Sequence, residues 1–438
     1  MIALFLIACD EGEPSVSLAK LSVEFAEAIP TVMTVTWTTD APTKGSVTYG
    51  VVGEETYETP QEAEATKDHS VLVLGMPAGS DVVLLGHDDA DGETKETTVT
   101  TGDYPPDWPG WTVTVDEPTW TGWIVVGLAG RTGGALILDN HSRPVWWWSP
   151  ETPSALVTRA IPSMDGLGVY ALPSETQFTK AQSVTQVSWQ GVELGSRGID
   201  GLTHDFLERE PGVITGLAIV EHDLEDRPCT ADAIYEFTFE SEPTLIWDAM
   251  DDYADVDIAC PPEGDPTASW TFLNAIDWDE ASGQYRVESR QLSTITAVDR
   301  ASGKSVFSVG QYGTIRVPDD QIPTEQAHQF QFIDDEHLLW FDDGTHERGY
   351  TRLVEFELDH AAGIANTIWQ YVSDPPLEVG ALGDVERLEN GNTLANWSAA
   401  GRLSEVDPNG KTVWQVDSSL ATAFGYQKRV ESLYASQW

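Results

Sequence analysis

RLVEFELDHAAGIANTIW, residues 352–369, reads as two strands around a tight turn. Val354, Phe356 and Leu358 alternate with Glu355, Glu357 and Asp359, the two-residue period of a strand with one buried face. A short turn ending in Gly363 follows, and a second run closes on Trp369. The same layout recurs in ALILDNHSRPVWWW, VTQVSWQGVEL, IYEFTFESEPTLIW, TITAVDRASGKSVF and RLSEVDPNGKTVW. In chain order the closing residues are Trp146, Leu194, Trp247, Phe307, Trp369 and Trp414, at intervals of 48, 53, 60, 62 and 45 residues. A hairpin repeated at about 40–50 residues is the outer half of a four-stranded propeller blade. Six copies predict a six-bladed β-propeller over residues 118–438, with the longer intervals absorbing insertions. The closing aromatics are then packing between blades.

Upstream, TVMTVTWTTD, GSVTYG, HSVLVLGM, DVVLLGHDDADG and ETTVTTG are short strands with turn residues between them and no helical period. They predict a β-sandwich over residues 17–103, of immunoglobulin or fibronectin type III type, in an all-β chain. YPPDWPGW opens a stiff Pro-rich linker at 104–117. The 438 residues suit such a two-part organisation, and 41% hydrophobic residues with 17 Trp, 12 Tyr and 13 Phe supply a core. With 72 Asp and Glu against 23 Lys and Arg, the formal net charge is −49. That surface repels nucleic acid and anionic headgroups, and suits a soluble extracytoplasmic protein.

Of three cysteines, Cys9 closes the apolar run LFLIAC. Leu6–Cys9 resembles a bacterial lipobox, with residues 1–8 as signal segment, Cys9 lipidated and 9–16 a leash. Asp10 resembles an inner-membrane retention signal. These features predict a lipid anchor in the cell envelope, facing the periplasm or the exterior. No other segment is apolar for long enough to span a bilayer. Cys229 and Cys260 remain, either as a disulfide or as two separate thiols.

Propeller sites gather at one mouth of the central channel, on inner strands and connecting loops. Candidates are therefore sought before each outer hairpin. GLTHDFL carries His204, SWTFLNAIDWD and YRVESRQLSTI carry Asn274 and Arg290, EQAHQFQF carries His328, and VERLENGNTLANW carries Thr393. Each alone is an ordinary strand or turn residue; their equivalent positions in consecutive blades make them a group. No phosphate-binding loop, GxGxxG, HExxH or GxSxG is present, so neither a cofactor nor a metal is expected. DAMDDYADVD, 248–257, lacks the spacing of an EF-hand and reads as a solvated loop.

The ordered series GLTHDF, LNAIDWD with SRQLSTITAVDRASGK, QAHQF with FDDG and TRLVEFELD, NGNTL with EVDPNGKTVW, and GYQKRVESLY resembles the bacterial arylsulfate sulfotransferases over most of 200–438. The resemblance implies nucleotide-independent transfer of a sulfuryl group from an aryl sulfate to a phenol. It implies a transient sulfohistidine at His328, an acid–base role for His204, and sulfuryl-oxygen contacts from Asn274, Arg290 and Thr393. Two departures stand out. The family has His-x-Asn where this chain has Phe272-Leu273-Asn274, and FDDG stands where the family usually reads FDNG. Phe272 motivates the alternative of a non-catalytic propeller that binds a ligand or a protein.

Overall fold

The computed structural model describes residues 20–90, 92–129, 133–151, 156–174, 183–223, 228–256, 269–345, 347–419 and 423–435. Cys9, the lipobox and Cys260 lie outside them. The described chain divides into two compact units, up to Asp103 and from Tyr104 onward.

In the first unit, Ser22–Phe25, Met33–Thr43 and Thr66–Val73 form a three-stranded antiparallel sheet. Thr56–Glu58, Gly45–Val51, Asp81–Asp88 and Thr97–Thr100 form a four-stranded one, in that order. Met33, Val35 and Trp37 from one sheet and Val47, Tyr49, Val82 and Leu84 from the other are buried. Alternation along each strand produces this core, since a period of two turns every second side chain inward.

In the second unit, strand-forming runs assemble into six antiparallel sheets among the described residues. The third comprises Leu202–Glu210, Val213–Asp223, Pro228–Phe237 and Thr244–Asp248. The fourth comprises Leu273–Asp279, Gln284–Ser289, Thr294–Asp299 and Lys304–Gly310. The fifth comprises His328–Phe332, His337–Asp342, Arg352–Asp359 and Ile364–Tyr371. The innermost strands of successive sheets lie side by side in a ring, a propeller-like arrangement. Phe424–Val430 pairs with Trp123–Leu128 and so completes the first sheet from the far end of the unit. Trp111–Asp116 adds a fifth strand to the sixth sheet by pairing with Thr412–Ser418. This corrects the reading of 104–117 as linker throughout. Its Pro-rich start hides a Trp-Thr-Val-Thr-Val run whose partner lies about 300 residues away, beyond the reach of local pattern.

The outer hairpins share a loop chemistry. Gly303 and Gly363, at φ 63° and 69°, each donate N–H to the carbonyl of the aspartate four residues earlier. Glycine takes that left-handed conformation without a Cβ clash. The closing aromatics then reach the next sheet. Trp146 Nε1 donates to Trp189 O at 2.9 Å, and Trp414 Nε1 to Ser142 Oγ at 2.9 Å. Leu194 departs from this pattern: it is 48% exposed on its outermost strand.

Candidate active site

Sheet irregularities at the starts of the innermost strands build the site. The antiparallel register shifts at Val157/Arg159, Thr203/Phe206, Leu273/Ala275, His328/Phe330 and Phe424/Gln427. Five of the six innermost strands thus carry a bulge. A bulge frees a residue from the ladder and re-aims its side chain. His204 and Gln329 lie at such points with φ 45° and 31°, and Phe272, Gln326 and Ser293 are also at positive φ. Non-glycine residues at positive φ cost of order 1–3 kcal/mol each and cluster where a site demands them.

What holds these bulges is a polar plug on the axis of the ring. Arg159 reaches both oxygens of Asp205, Nε to Oδ1 at 2.7 Å and Nη2 to Oδ2 at 3.0 Å. Asp205 also accepts Gln329 Nε2 at 2.7 Å, Phe206 N at 2.9 Å and Ile276 N at 3.1 Å. Arg159 Nη1 donates to Gln427 O at 2.8 Å and lies 3.5 Å from Asp384 Oδ2. Asp384 in turn accepts Gln427 N at 2.9 Å. Burial pushes the Asp384 carboxyl up to about 7. The innermost strands of the second to sixth sheets and Phe424–Val430 all join this network. His204 and His328 immediately precede Asp205 and Gln329, so the plug sets the backbone that carries both imidazoles.

Four of the residues singled out in the sequence come together. The rings of His204 and Phe272 lie 4.6 Å apart, and Arg290 Cζ is 5.5 Å from the Phe272 ring. Arg290 N donates to Phe272 O at 3.0 Å. Its Nη2 donates to Gln326 Oε1 at 2.9 Å and, at 3.5 Å, to Gly380 O. Both acceptors are neutral, while the carboxyls of Asp343 and Glu288 lie within the field of the guanidinium. His204 is buried, with Nδ1 2.7 Å from Thr203 Oγ1 and no hydrogen-bond partner for Nε2 among the described residues. Burial first, then His328 and Arg290, pull its pKa down to about 3. His328 is also buried, and burial with Arg290 holds its pKa well below the usual imidazole range. Both rings are neutral at neutral pH.

Two expected sulfuryl contacts are placed differently. Asn274 is fully buried, and its Nδ2 donates to Ala327 O at 2.9 Å. That bond ties one of its two amide N–H groups to the backbone next to His328. The structure does not bring Thr393 into the group. It pairs with Arg387 at the far end of its hairpin, whereas Asn396 pairs with Asp384 at the axial end. The strand period reveals which residues are inward but not which end of a short hairpin meets the axis.

Asp343 is a neighbour that sequence reasoning registered only as a departure in FDDG. Its Oδ2 lies 2.7 Å from His328 Nδ1. Arg159, Asp205 and Gln329 were also missed as a set; the adjacent pairs His204-Asp205 and His328-Gln329 were the available signal. Cys229 is buried and disulfide-bonded. In the acidic patch, Asp252 accepts Trp247 Nε1 at 2.8 Å and Ser305 Oγ at 2.9 Å, and Asp248 accepts Met250 N at 2.9 Å. Among the described residues no group of three or more His, Cys, Asp or Glu is placed to hold a metal ion.

No protein-family model matches the chain. No curated protein matches it. Solved structures do. A protein of unknown function from Bacteroides caccae is 14% identical, covering 72% of this chain and 100% of its own, with a TM-score of 0.45. A streptogramin B lyase is 12% identical, covering 69% and 86%, with a TM-score of 0.40. Kluyveromyces lactis Hsv2p is 9% identical, covering 82% and 93%, with a TM-score of 0.34. Likeness at this level says nothing of chemistry, and the propeller-like architecture stands on the sheets themselves.

Proposed function

We propose that this chain transfers a sulfuryl group from an aryl sulfate to a phenolic acceptor through a sulfohistidine at His328, as the arylsulfate sulfotransferases do. The observation that carries the reading is the convergence of two buried, neutral imidazoles, His204 and His328, on one half-buried cation, Arg290. A neutral imidazole has the lone pair that attack on sulfur needs. In the first half-reaction an N–S bond forms at His328, the S–O(aryl) bond breaks, and the phenolate leaves with the electron pair. In the second half-reaction the acceptor oxygen bonds to sulfur as the N–S bond breaks, its electron pair returns to His328, and the phenolic proton passes by way of His204 Nε2 to the released phenolate or to solvent. Arg290 stabilises the sulfuryl oxygens as charge shifts among them, electrostatic work like that of phosphoryl transfer. In this reading His204 Nε2, which has no partner among the described residues, serves the leaving oxygen. Because His204 is neutral at rest, donors whose phenols are acidic enough to leave unprotonated are served best. In the same reading the first unit is an immunoglobulin- or fibronectin type III-like module, which its three- and four-stranded pairing orders support. The protein then works lipid-anchored in the bacterial cell envelope.

The test is incubation with 4-nitrophenyl sulfate, followed by intact mass and peptide mapping. One sulfuryl group on His328, discharged by added phenol, is the expected result. Phe272, standing where the family has histidine, favours a second reading as a ligand-binding propeller; binding of aryl sulfates without labelling or turnover would select it.

The sulfation rate should not fall with the titration curve of a free imidazole between pH 8 and pH 5. A free imidazole, with a pKa of about 6.5, loses its lone pair over that interval. His328 is depressed, so its neutral form persists as pH falls. Quenched single-turnover rates would show it, and a halving near pH 6.5 would contradict the neutral-nucleophile assignment.

Phe272→His should raise activity. Phenylalanine donates no hydrogen bond, and one preorganised oxyanion donor is typically worth about 10²- to 10³-fold in rate. The backbone also suits the change: Phe272 sits at φ 50°, where histidine is found more often than a bulky apolar residue. The gain should disappear when His328→Ala is added, because both act in one step. A neutral or harmful Phe272→His in a fully active protein would show that another group supplies the donor.

A further inference from the structure

FDDG holds two adjacent carboxyls with opposite fates. Asp342 is fully engaged: Oδ2 accepts Arg348 Nη1 at 2.6 Å and Arg352 Nε at 2.7 Å, and Oδ1 accepts Glu325 N at 2.9 Å. It is a structural anchor at the end of its strand. Asp343 is equally buried, 1% exposed, yet neither oxygen has a hydrogen-bond partner among the described residues. A buried carboxyl left in that state costs on the order of 1–3 kcal/mol or more. What it faces is His328: Oδ2 lies 2.7 Å from Nδ1, off the line of the N–H. Nδ1 has no other partner among the described residues. Hydrogen bonds of reacting groups are often misaligned before substrate arrives, and a small rotation of the ring closes this one.

We propose that Asp343 is the positioning residue of His328, accepting its Nδ1–H and thereby fixing the tautomer that leaves Nε2 as the lone-pair nitrogen facing substrate. The role needs no proton to move. A carboxylate accepts Nδ1–H outright, and a protonated carboxyl does so only through its carbonyl oxygen, with its own O–H turned away from the ring. Burial first holds the Asp343 proton on, Arg290 draws it off, Asp342 holds it on and Arg348 draws it off, the net displacement being upward; Glu288 is the further carboxyl within its field. The Gln326 carbonyl also accepts from the His328 ring and so competes with Asp343 for its proton, and Arg290 and His204 complete the field around it. When Nε2 bonds to sulfur the ring gains positive charge, and an oxygen within 3 Å of Nδ1–H stabilises that charge where it develops. Where the resembled family usually reads FDNG, this chain carries an ionisable group at the second position.

The naming of His328 as nucleophile rests on the proposed sulfuryl transfer, whereas the tautomer does not. The test therefore reads both. In full-length protein labelled with ¹⁵N-histidine, the two ring nitrogens report directly which carries the proton, with Asp343→Ala and His328→Ala used to assign the signals. Expected are a protonated Nδ1 and a bare Nε2 in the native chain and in Asp343→Asn. Asp343→Ala should shift the proton to Nε2, and its labelling by 4-nitrophenyl sulfate should slow by about 10²-fold or more. Asp343→Asn should restore most of that rate, which a merely structural role for Asp343 would not predict. A native Nε2–H tautomer, or an unchanged tautomer and rate in Asp343→Ala, overturns the assignment. The expected tautomers without labelling from any aryl sulfate would leave Asp343 assigned and sink the sulfuryl-transfer reading alone.

Discussion

His328→Ala abolishes labelling by aryl sulfates and lowers transfer by on the order of 10⁶-fold, the scale set by removing a nucleophile from an acyl-transfer enzyme. The expectation is this large because the remaining groups cannot substitute. His204, with Nδ1 at Thr203 Oγ1, is assigned to the oxygen side of the reaction, and its pKa of about 3 makes it a weaker base. Arg290 has no lone pair to offer, and Asp343 adjoins the imidazole itself. Direct transfer from donor to acceptor would have to bring two phenolic oxygens and one sulfur into line without a protein nucleophile. The measurement is single-turnover labelling together with steady-state transfer from 4-nitrophenyl sulfate to phenol. Transfer surviving in His328→Ala at a tenth of the native rate would remove the sulfohistidine mechanism. Arg290→Met complements it: the charge is lost while the stem over Phe272 remains, so labelling should slow without any change in fold.

Asp205→Ala costs the second unit about 3–5 kcal/mol, the usual penalty for breaking one side of a buried ion pair. Five hydrogen bonds converge on this carboxylate, two of them from Arg159. Arg159 is 8% exposed and would keep only the more distant Asp384, at 3.5 Å, as an anionic partner. Two backbone N–H groups, of Phe206 and Ile276, would also be left without their acceptor. Urea unfolding followed by tryptophan fluorescence reads the loss. The pair Arg159→Met with Asp205→Leu should recover part of it, because removing both charges removes the desolvation cost. A midpoint shift worth under about 1 kcal/mol would mean that the axial plug does not hold the ring. Below its unfolding transition, Asp205→Ala should also label more slowly, since Gln329 anchors the bulge next to His328 through this carboxylate.

The strands themselves were legible in the sequence. A period of two, glycine at the left-handed turn position and an aromatic at the end of each outer hairpin are local features, and local sterics enforce them. The six hairpins from Trp146 to Trp414 all form, although Leu194 stays at the surface rather than packing between sheets. His204 and His328 could be picked out because equivalent strand positions repeat. Asn274 and Thr393 came from the same reasoning and fared differently. An asparagine at the right position commits one amide N–H to Ala327 O, and a threonine on the right hairpin sits at the wrong end of it.

What the amino-acid order determined alone was the all-β character, the repeat, the turn chemistry and the two imidazoles at matching positions. Each follows from interactions within about twenty residues. What only the tertiary structure decided was where the chain departs from its own period. The bulges at His204, Asn274 and Gln329 are held by bonds between residues 46 to 268 positions apart, such as Arg159 to Asp205 and Arg159 to Gln427. The pairing of Trp111–Asp116 with Thr412–Ser418 has the same long range. So does the difference between Asp342 and Asp343, adjacent residues of one type: the first meets two arginines and the second a histidine. Alternation along a strand predicts that neighbours point apart. It cannot say what waits on either side, because that depends on how six sheets close around one axis.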